Sequence, residues 1–513
     1  MGLYNENEMK RSLSARKSKV AFGVLMAFAA VLFALISLVN HYLFKTYTLD
    51  LGLYTHAMYD YTHFRIDDFS MIRQVPKSIL SDHFDLYLVI LSPLVYVFGT
   101  YTLLIVQIVA VLLGGWGIYK LLGLYFEDGW LPVLASAVFF FSFGIIHPLG
   151  FEYHSNVLTA MMLPWLLYFF KRKDYKLSAL MVVLFVIGKE NMSLWLIFIA
   201  IGLMWDYRKD RKALWRLGAY AVFAMAYFLI VNMIVMPKLG GSGAGFRRYE
   251  YLGDNYIEVA KTLLTHPKLT LKLLFSSVVG LEEFPDAKAE MRYLLSLTIA
   301  NPKNAGLKEE FYHCALATGL ILTLLKPNYL FMLLPLLGQK MFAFESNFWG
   351  ISFHYSVEFM PVIAISSFLV ISKLKWPIWR LVLAVALLLS TILTTFYSLG
   401  ITQAMVLKDQ LCVYQGRHYE QKEFDVDYAY KLIRMIPKDA SVCASRMLTA
   451  HLALRPEIYD FQWRGADADA AYYLVTKRDL DFKRNGSLFF DRWEEYEVMA
   501  TDGNLFLLKK RQQ

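Results

Sequence analysis

The chain has 513 residues, of which 57% are hydrophobic and 19% charged, with a mean hydropathy of +0.40. That is too apolar for a soluble chain of this length and defines a polytopic membrane protein. The net charge of +9 would point to nucleic acid in a soluble domain, but here much of the excess lies in short loops between apolar runs, where it sets orientation, so no nucleic-acid partner is assigned.

Taken in chain order, apolar runs of about 20 residues or somewhat fewer fall near 20–44, 101–123, 130–148, 155–170, 177–188, 190–205, 214–236, 311–325, 328–344, 356–373 and 377–399. The expectation is an all-α polytopic bundle of about eleven transmembrane helices, the short fifth and sixth runs being open to a reading as one. Lys10, Arg11, Arg16, Lys17 and Lys19 precede the first run and place the N-terminus in the cytoplasm. Threading onward puts "KRKDYK" (171–176), "YRKDRKALWR" (207–216) and "KLKWPIWR" (373–380) inside as well, so three separate basic loops agree on one orientation. The first run is too long for a signal peptide and has no small-residue cleavage site, so it is expected to be retained in a plasma (inner) membrane protein.

With that orientation the outer face receives a first loop (45–100), a long segment (237–310), the short "ESNFWGISFHYS" (345–356) and everything after residue 400. In the first loop, "FDLYLVILSPLVYVFG" (84–99) is too short to span and contains Pro93, which reads as an interfacial or re-entrant helix. The long segment has a flexible stretch, "LGGSGAGF" (239–246), then helical patterns in "NYIEVAKTLLTH" and "LTLKLLFSSVVGL". Residues 1–400 are thus read as the transmembrane domain and 401–513 as a small extracytoplasmic α/β domain. In the latter, "DYAYKLIRMIP" is an amphipathic helix, "ASVCAS", "EIYDF" and "AYYLVTK" are short strands, and "EYEVMATDGNLFLLKK" is a hairpin around Asp502-Gly503. Cys412 and Cys443 fall in this domain and Cys314 in a span. One disulfide is open, without a spacing signature to support it.

Polar residues gather on the outer side of this topology. Asp50 opens the first loop within "TYTLDLGLYTHAMYDYTHF". Asp82 and His83 precede the interfacial helix, Glu152 and His154 lie at an outer turn, and His354 lies in the last short one. Each has an ordinary reading: Asp50 and Asp82 as helix caps, the histidines as packing, Glu152 as turn polarity. Lys189-Glu190 interrupts an apolar stretch, and ionisable groups at membrane depth mark function unless they neutralise each other at a helix break.

Carboxylates, histidines and a lysine at an outer interface suit a lipid-linked donor, its tail in the bilayer and its phosphate at headgroup depth. Inverting sugar transfer needs one carboxylate to take the acceptor's proton and positive charge for the departing phosphate. Asp50 fits the base and Lys189 the counter-charge, with Glu152 a third candidate for the chemistry. Asp82, His83, His154, Glu190, Arg247, Arg248 and His354 are candidates for substrate binding. A divalent cation is open, with Asp50, Asp82, His83, Glu152 and His154 as candidate ligands. The partners expected are a lipid-linked sugar donor and membrane lipids.

"LDLGLYTHAMYDYTHF", "SDHFDLYLVILSPLVYVFG", "PLGFEYHSNVLTAMMLPWLLY", "GKENMSLWL", "LLTHPKLTLKLL" and "MIPKDASVCASRMLTAHLALRPEIYDF" occur in that order between residues 46 and 480. Together they resemble the predicted membrane proteins of the domain-of-unknown-function 2079 family. That family is similar to the GT-C glycosyltransferase superfamily, and the resemblance implies a lipid-phosphate sugar donor and a catalytic aspartate just after the first span, the position of Asp50. Many GT-C enzymes carry adjacent acidic residues there, whereas Leu51 and Gly52 follow Asp50 here. Two rivals remain from other classes. A transporter or lipid flippase would use Lys189 and Glu190 as a charge relay, and a non-catalytic assembly protein would tolerate loss of Asp50.

Overall fold

The computed structural model describes residues 2–66, 69–73, 78–127, 129–241, 244–285, 287–400, 402–465, 467–481 and 492–511; Ser242 and Gly243 of the expected flexible stretch lie outside these. The chain is mostly α-helical, and among the described residues there are five strands, all after residue 440. Among the described residues four helical runs are long and apolar enough to cross a membrane: Arg16–Tyr42, Leu86–Leu122, Arg211–Lys238 and Pro377–Ser398. Trp130–Phe140 and Phe143–Phe151, bent by 45°, make a fifth if counted as one span.

The expected tally of eleven is therefore not reached by whole helices, because the remaining apolar runs are short or broken. The run 155–170 divides into Ser155–Ala160 and Met162–Lys171, and Tyr175–Ile187 parts from Glu190–Asp206 at Gly188-Lys189. Phe359–Ile371 has only 13 residues. The run 311–325 kinks at Gly319, whose φ of 123° only glycine adopts without strain. A break in an apolar environment is tolerated where neighbours cover the freed backbone groups. At Gly319 the Ser367 hydroxyl does so, donating to its carbonyl at 2.9 Å.

The segment 84–99 is helical, as expected, but it does not stand apart. Leu86–Leu91 and Val95–Phe98 run on through turns at Pro93 and Gly99 into Thr102–Leu122. The helix Arg211–Lys238 is the most peripheral of the spans, with only 11% of its apolar window buried against 44% for Leu86–Leu122. Its bare Val222, Ile230 and Met233 are what a bilayer would cover. In the interior, Glu190–Asp206 packs so closely on Pro327–Met341 that a Cβ at Gly202 would stand 2.7 Å from the Asn328 carbonyl. The Trp195 indole ties the same pair, donating to Met332 O at 3.0 Å.

After residue 400 comes the helix Val426–Met435 and a mixed sheet of β1 (Val442–Ala444), β2 (Ile458–Asp460), β3 (Tyr472–Thr476), β4 (Tyr496–Thr501) and β5 (Leu505–Lys510) in the order β2-β1-β3-β5-β4. β1 runs parallel to both β2 and β3, pairing Val442 with Ile458 and with Tyr472. β5 is antiparallel to β3 and β4. The β4–β5 hairpin turns where the sequence places it: Gly503 has φ 88°, and Asp502 Oδ1 accepts from the N–H groups of Asn504 and Leu505 at 2.9 and 2.8 Å. The parallel half follows from the crossover helix Arg446–Leu452 between β1 and β2. All three cysteines are free and buried, so no disulfide forms between Cys412 and Cys443; Cys443 sits inside β1 and Cys412 just past the helix Lys408–Leu411.

The sheet module packs against the loop that follows the first span. Asp460 N donates to Met71 O at 2.9 Å, Arg464 Nη1 donates to Ser70 O and Arg73 O at 2.7 and 2.9 Å, and His56 Nδ1 lies 3.1 Å from Ala453 O. These contacts place the module at the end of the bundle where Asp50 lies.

Candidate functional site

The chain leaves the first span through an extended Tyr47, makes a tight turn over Thr48–Gly52, and enters the helix Leu53–Thr62. Within the turn Leu49 is extended (φ −66°, ψ 137°) and Asp50 takes φ 69°, ψ −88°. A side chain in that region costs on the order of 1–3 kcal/mol and persists only where the surroundings over-determine it. The capping reading fails here, since Gly52 is the N-cap of Leu53–Thr62 and no side chain caps it. The Asp50 carboxylate is thus free of its own helix.

Glu152 is what holds the turn. Its Oε1 accepts from Tyr47 N at 2.7 Å and its Oε2 from Leu51 N at 2.8 Å. Glu152 itself has φ 97°, ending the helix Phe143–Phe151, and Gln107 fixes it there. The Gln107 amide donates to Glu152 O at 2.7 Å and accepts from His154 N at 2.9 Å. From the other side comes the sheet module. The Thr48 hydroxyl lies within hydrogen-bonding reach of Thr449 Oγ1 (2.6 Å), Arg446 O (3.2 Å) and the Asp460 carboxylate. The Arg446 guanidinium stands 4.7 Å over the Tyr47 ring.

Asp50 faces a cavity of about 260 Å³. Seven of the residues singled out from the sequence line it: Asp50, His83, His154, Lys189, Glu190, Arg248 and His354. Three others do not. Glu152 lies behind the Asp50 turn with both oxygens engaged, Asp82 stands at the rim with Oδ2 4.0 Å from His83 Nε2, and Arg247 points away to Glu290 at 3.8 Å. Asp85, not Asp82, caps the helix that follows, accepting from Tyr87 N at 2.9 Å.

Lys189 and Glu190, neighbours in sequence, diverge. Glu190 Oε1 lies 3.3 Å from His83 Nδ1 and its Oε2 accepts from Phe84 N at 3.1 Å, which ties the first loop to the start of Glu190–Asp206. Lys189 makes no ion pair among the described residues and is left to the cavity. Arg248 brings a second cation, 3.4 Å from Glu345 and 4.8 Å over the Phe348 ring.

Burial raises the Asp50 carboxyl to about 6, with Asp82 adding to the rise and His83 and Lys189 opposing it. Its side chain keeps 31% of its surface, enough to be reached from the cavity. His154 and His354 are both held well below the usual histidine value, first by burial, then His154 by Lys189 and His83, and His354 by His154 and Lys189. They are neutral near pH 7, and their rings stack at 3.5 Å between centroids. Burial and the nearby Asp50 raise Glu152, while its two N–H donors pull the other way.

Several buried polar atoms of the cavity wall have no hydrogen-bond partner among the described residues: His154 Nε2, His354 Nδ1, Asn156 Oδ1, Asn191 Oδ1 and Gln339 Nε2. His154 Nε2 is 3.9 Å from Asp50 Oδ2, too long for a hydrogen bond. Orphaned polar atoms inside a protein cost free energy, so a cluster of them around one cavity marks a place for a polar ligand. Asn156, Asn191, Gln339, Lys340 and Glu358 were not anticipated from the sequence. Lys340 and Glu358 carry the signal that exposed Lys189, a charge within an apolar run, and Lys340 proves structural: it donates to Phe348 O and Gly350 O at 2.6 and 2.7 Å. Among the described residues no group of three His, Cys, Asp or Glu side chains is placed to hold a metal ion. The candidate ligands are parted because Glu152 is committed to backbone N–H groups and His83 to Glu190.

Fold and site define a helical membrane protein with a polar cavity at one end and a sheet module that grips the turn carrying Asp50 in the cavity wall. The model of the predicted membrane proteins DUF2079 matches residues 40–283 and 288–481, and the chain belongs to that family. No curated protein matches it. Among solved structures it is similar to the crystal structure of ArnT from Cupriavidus metallidurans bound to undecaprenyl phosphate, with 10% identity over 95% of this chain and 97% of that one and a TM-score of 0.44, a likeness too loose to carry a residue role across.

Proposed function

We propose that the chain is an inverting membrane glycosyltransferase that moves a sugar from a polyprenyl-phosphate donor to an acceptor hydroxyl, with Asp50 as general base. The observation that carries this reading is Asp50 itself: a carboxylate in a strained backbone conformation, gripped from two sides, presented to a cavity that also holds Lys189, Arg248 and a set of unpartnered polar atoms. Strain retained at a cavity wall has a use there.

In this mechanism the acceptor oxygen attacks the anomeric carbon as its proton passes to Asp50. The bond from that carbon to the phosphate oxygen breaks, and the pair of electrons leaves with the polyprenyl phosphate. Lys189 and Arg248 meet the charge that grows on the phosphate. A carboxylate raised to about 6 is ionised at neutral pH yet basic enough to take a proton, which suits a general base. His154 and His354, being neutral, can hydrogen-bond a sugar hydroxyl without adding charge. Glu152 positions the turn and does not touch substrate.

The cavity wall includes Phe228 and Asn232 from the peripheral helix Arg211–Lys238, which gives a lipid tail a route from the bilayer. The basic loops at the opposite ends of the helices support an outward orientation for this end of the bundle. The test is sugar transfer by the purified full chain from a panel of polyprenyl-phosphate donors. Asp50→Asn should lower the rate by about 10² to 10⁴ while the protein melts normally in detergent. A folded Asp50→Asn variant with full activity would remove the base; donor translocation without transfer would favour a flippase instead.

A further inference from the structure

A second cavity, of about 300 Å³, lies at the other ends of the same helices. Glu190–Asp206 offers Asn191 to the first cavity and Asp206 to the second, Pro327–Met341 offers Gln339 and Tyr329, and the helix Phe359–Ile371 offers Phe359 and Leu369. Asp206 lies fifteen helical positions on from Asn191, about 22 Å along the axis. The two cavities cannot share one phosphate.

The second cavity is cationic. Lys171 from the end of Met162–Lys171, Lys326 from the turn before Pro327–Met341, and Lys373 just past Phe359–Ile371 come from three separate segments and line it together. Among the described residues only one carboxylate joins them, Asp206, and it already accepts from the Asn328 amide at 2.9 Å. None of the three lysines makes an ion pair among the described residues. Lys171 and Lys326 lie against tyrosine rings instead, 4.9 Å from Tyr125 and 5.4 Å from Tyr329.

Basic loops at membrane ends are ordinary as orientation signals, and a shared cleft lined by lysines from three segments goes beyond what orientation requires. Here they converge, and the convergence has a cost: burial depresses Lys326 below the ordinary lysine value, and Lys373 deepens the depression against the pull of Asp206. Like charges drawn into one cleft without matching counter-charge are relieved by an anion. Basic clefts between membrane helices at the headgroup level take lipid phosphates.

We propose that the cleft of Lys171, Lys326 and Lys373 is a binding site for a phosphate group, distinct from the cavity of Asp50. An anionic phospholipid headgroup or a soluble phosphate could supply that group, and the three tyrosines Tyr125, Tyr207 and Tyr329 would flank either one.

The experiment uses the full chain in detergent, with thermal melting and native mass spectrometry read after addition of phosphatidylglycerol, phosphatidylcholine, or inorganic phosphate against chloride at matched ionic strength. Phosphatidylglycerol is expected to raise the melting temperature and remain bound where phosphatidylcholine does not. A matching response to inorganic phosphate would assign a soluble source, and its absence a lipid one. Lys326→Gln with Lys373→Gln should weaken retention by about fivefold per lysine, and Lys326→Arg with Lys373→Arg should preserve it. Lys171→Gln, at an exposed position, tests the site without disturbing buried packing. Lys189→Met should leave this response intact. The proposal is overturned if no phosphate-bearing probe acts beyond its control, or if Lys171→Gln and the Lys326/Lys373 glutamine pair respond as the wild type does. Loss of the response in Lys189→Met alone would equally overturn it, by moving the phosphate to the other cavity.

Discussion

At the scale of single residues, Asp50 is set apart by a backbone that a side chain rarely adopts and by a carboxyl raised to about 6. The raised value gives two expectations of opposite sense. As a base it must be ionised, so the rate of transfer should climb as pH rises through about 6 and level off above it. Lys189 is one of the cations that restrain the rise, so in Lys189→Met the acid limb should move to higher pH along with weaker donor binding. For stability the sign reverses: the folded state holds this proton more tightly than the unfolded chain, so folding loses support from the group as pH rises through the same range. Asp50→Asn should therefore melt no lower than the wild type at pH 7.5, and higher if the strained charge is a net burden. A variant that melts lower would mean that the carboxylate stabilises the fold, and would point to a structural role.

At the scale of elements, the turn Thr48–Gly52 is shaped from both sides, by Glu152 from the bundle and by Thr449 and Asp460 from the sheet module. Asp460 is only 1% exposed and also caps the short helix after β2, accepting from Gln462 N at 2.8 Å. Burial raises it to about 6, against the pull of the Thr48 hydroxyl. If the module positions Asp50, Thr449→Val should lower kcat with KM little changed, by up to about 10²-fold, since small misplacements of a catalytic group are costly. Hydrogen exchange over residues 45–66 should rise in parallel. Unchanged kcat with faster exchange would show that the grip matters to the loop and not to the chemistry. The sequence disclosed the module's helix and hairpin through local signals, an amphipathic period and an Asp-Gly turn. It was silent on where the module docks, because the docking contacts join residues almost 400 or more positions apart, such as Thr48 with Thr449 and Arg464 with Ser70, and no local pattern pairs them.

At the scale of the whole molecule, the placement of the Asp50 end on the outer face rests on the basic loops, and it can be read directly. All three native cysteines are buried, so the background of thiol labelling is low. In intact cells a membrane-impermeant maleimide should reach Asp502→Cys, in the exposed hairpin turn, and should miss Arg172→Cys at the far ends of the helices. The reverse pattern would put the Asp50 cavity inside and the lysine cleft outside, and would sink the proposed orientation of both.

The class of protein, the presence of a small α/β module near the C-terminus and the list of suspicious polar residues were legible in the amino-acid sequence, because hydropathy, turn chemistry and misplaced charge are properties of a residue and its near neighbours. The number of unbroken spans was not, since the breaks at Met161 and Gly319 lie within apolar runs, and at Gly319 the freed carbonyl is satisfied from another helix by Ser367. Nor were the roles within the site. Whether Asp50 capped its helix or faced a cavity turned on a backbone conformation imposed by Glu152, 101 residues from Leu51, and by Asp460, 412 residues from Thr48. Only the tertiary structure brings such partners together. The same long-range contacts moved Glu152 from candidate chemistry to the support behind it, and helix packing brought two lysines of the basic loops, Lys171 and Lys373, to one cleft with Lys326.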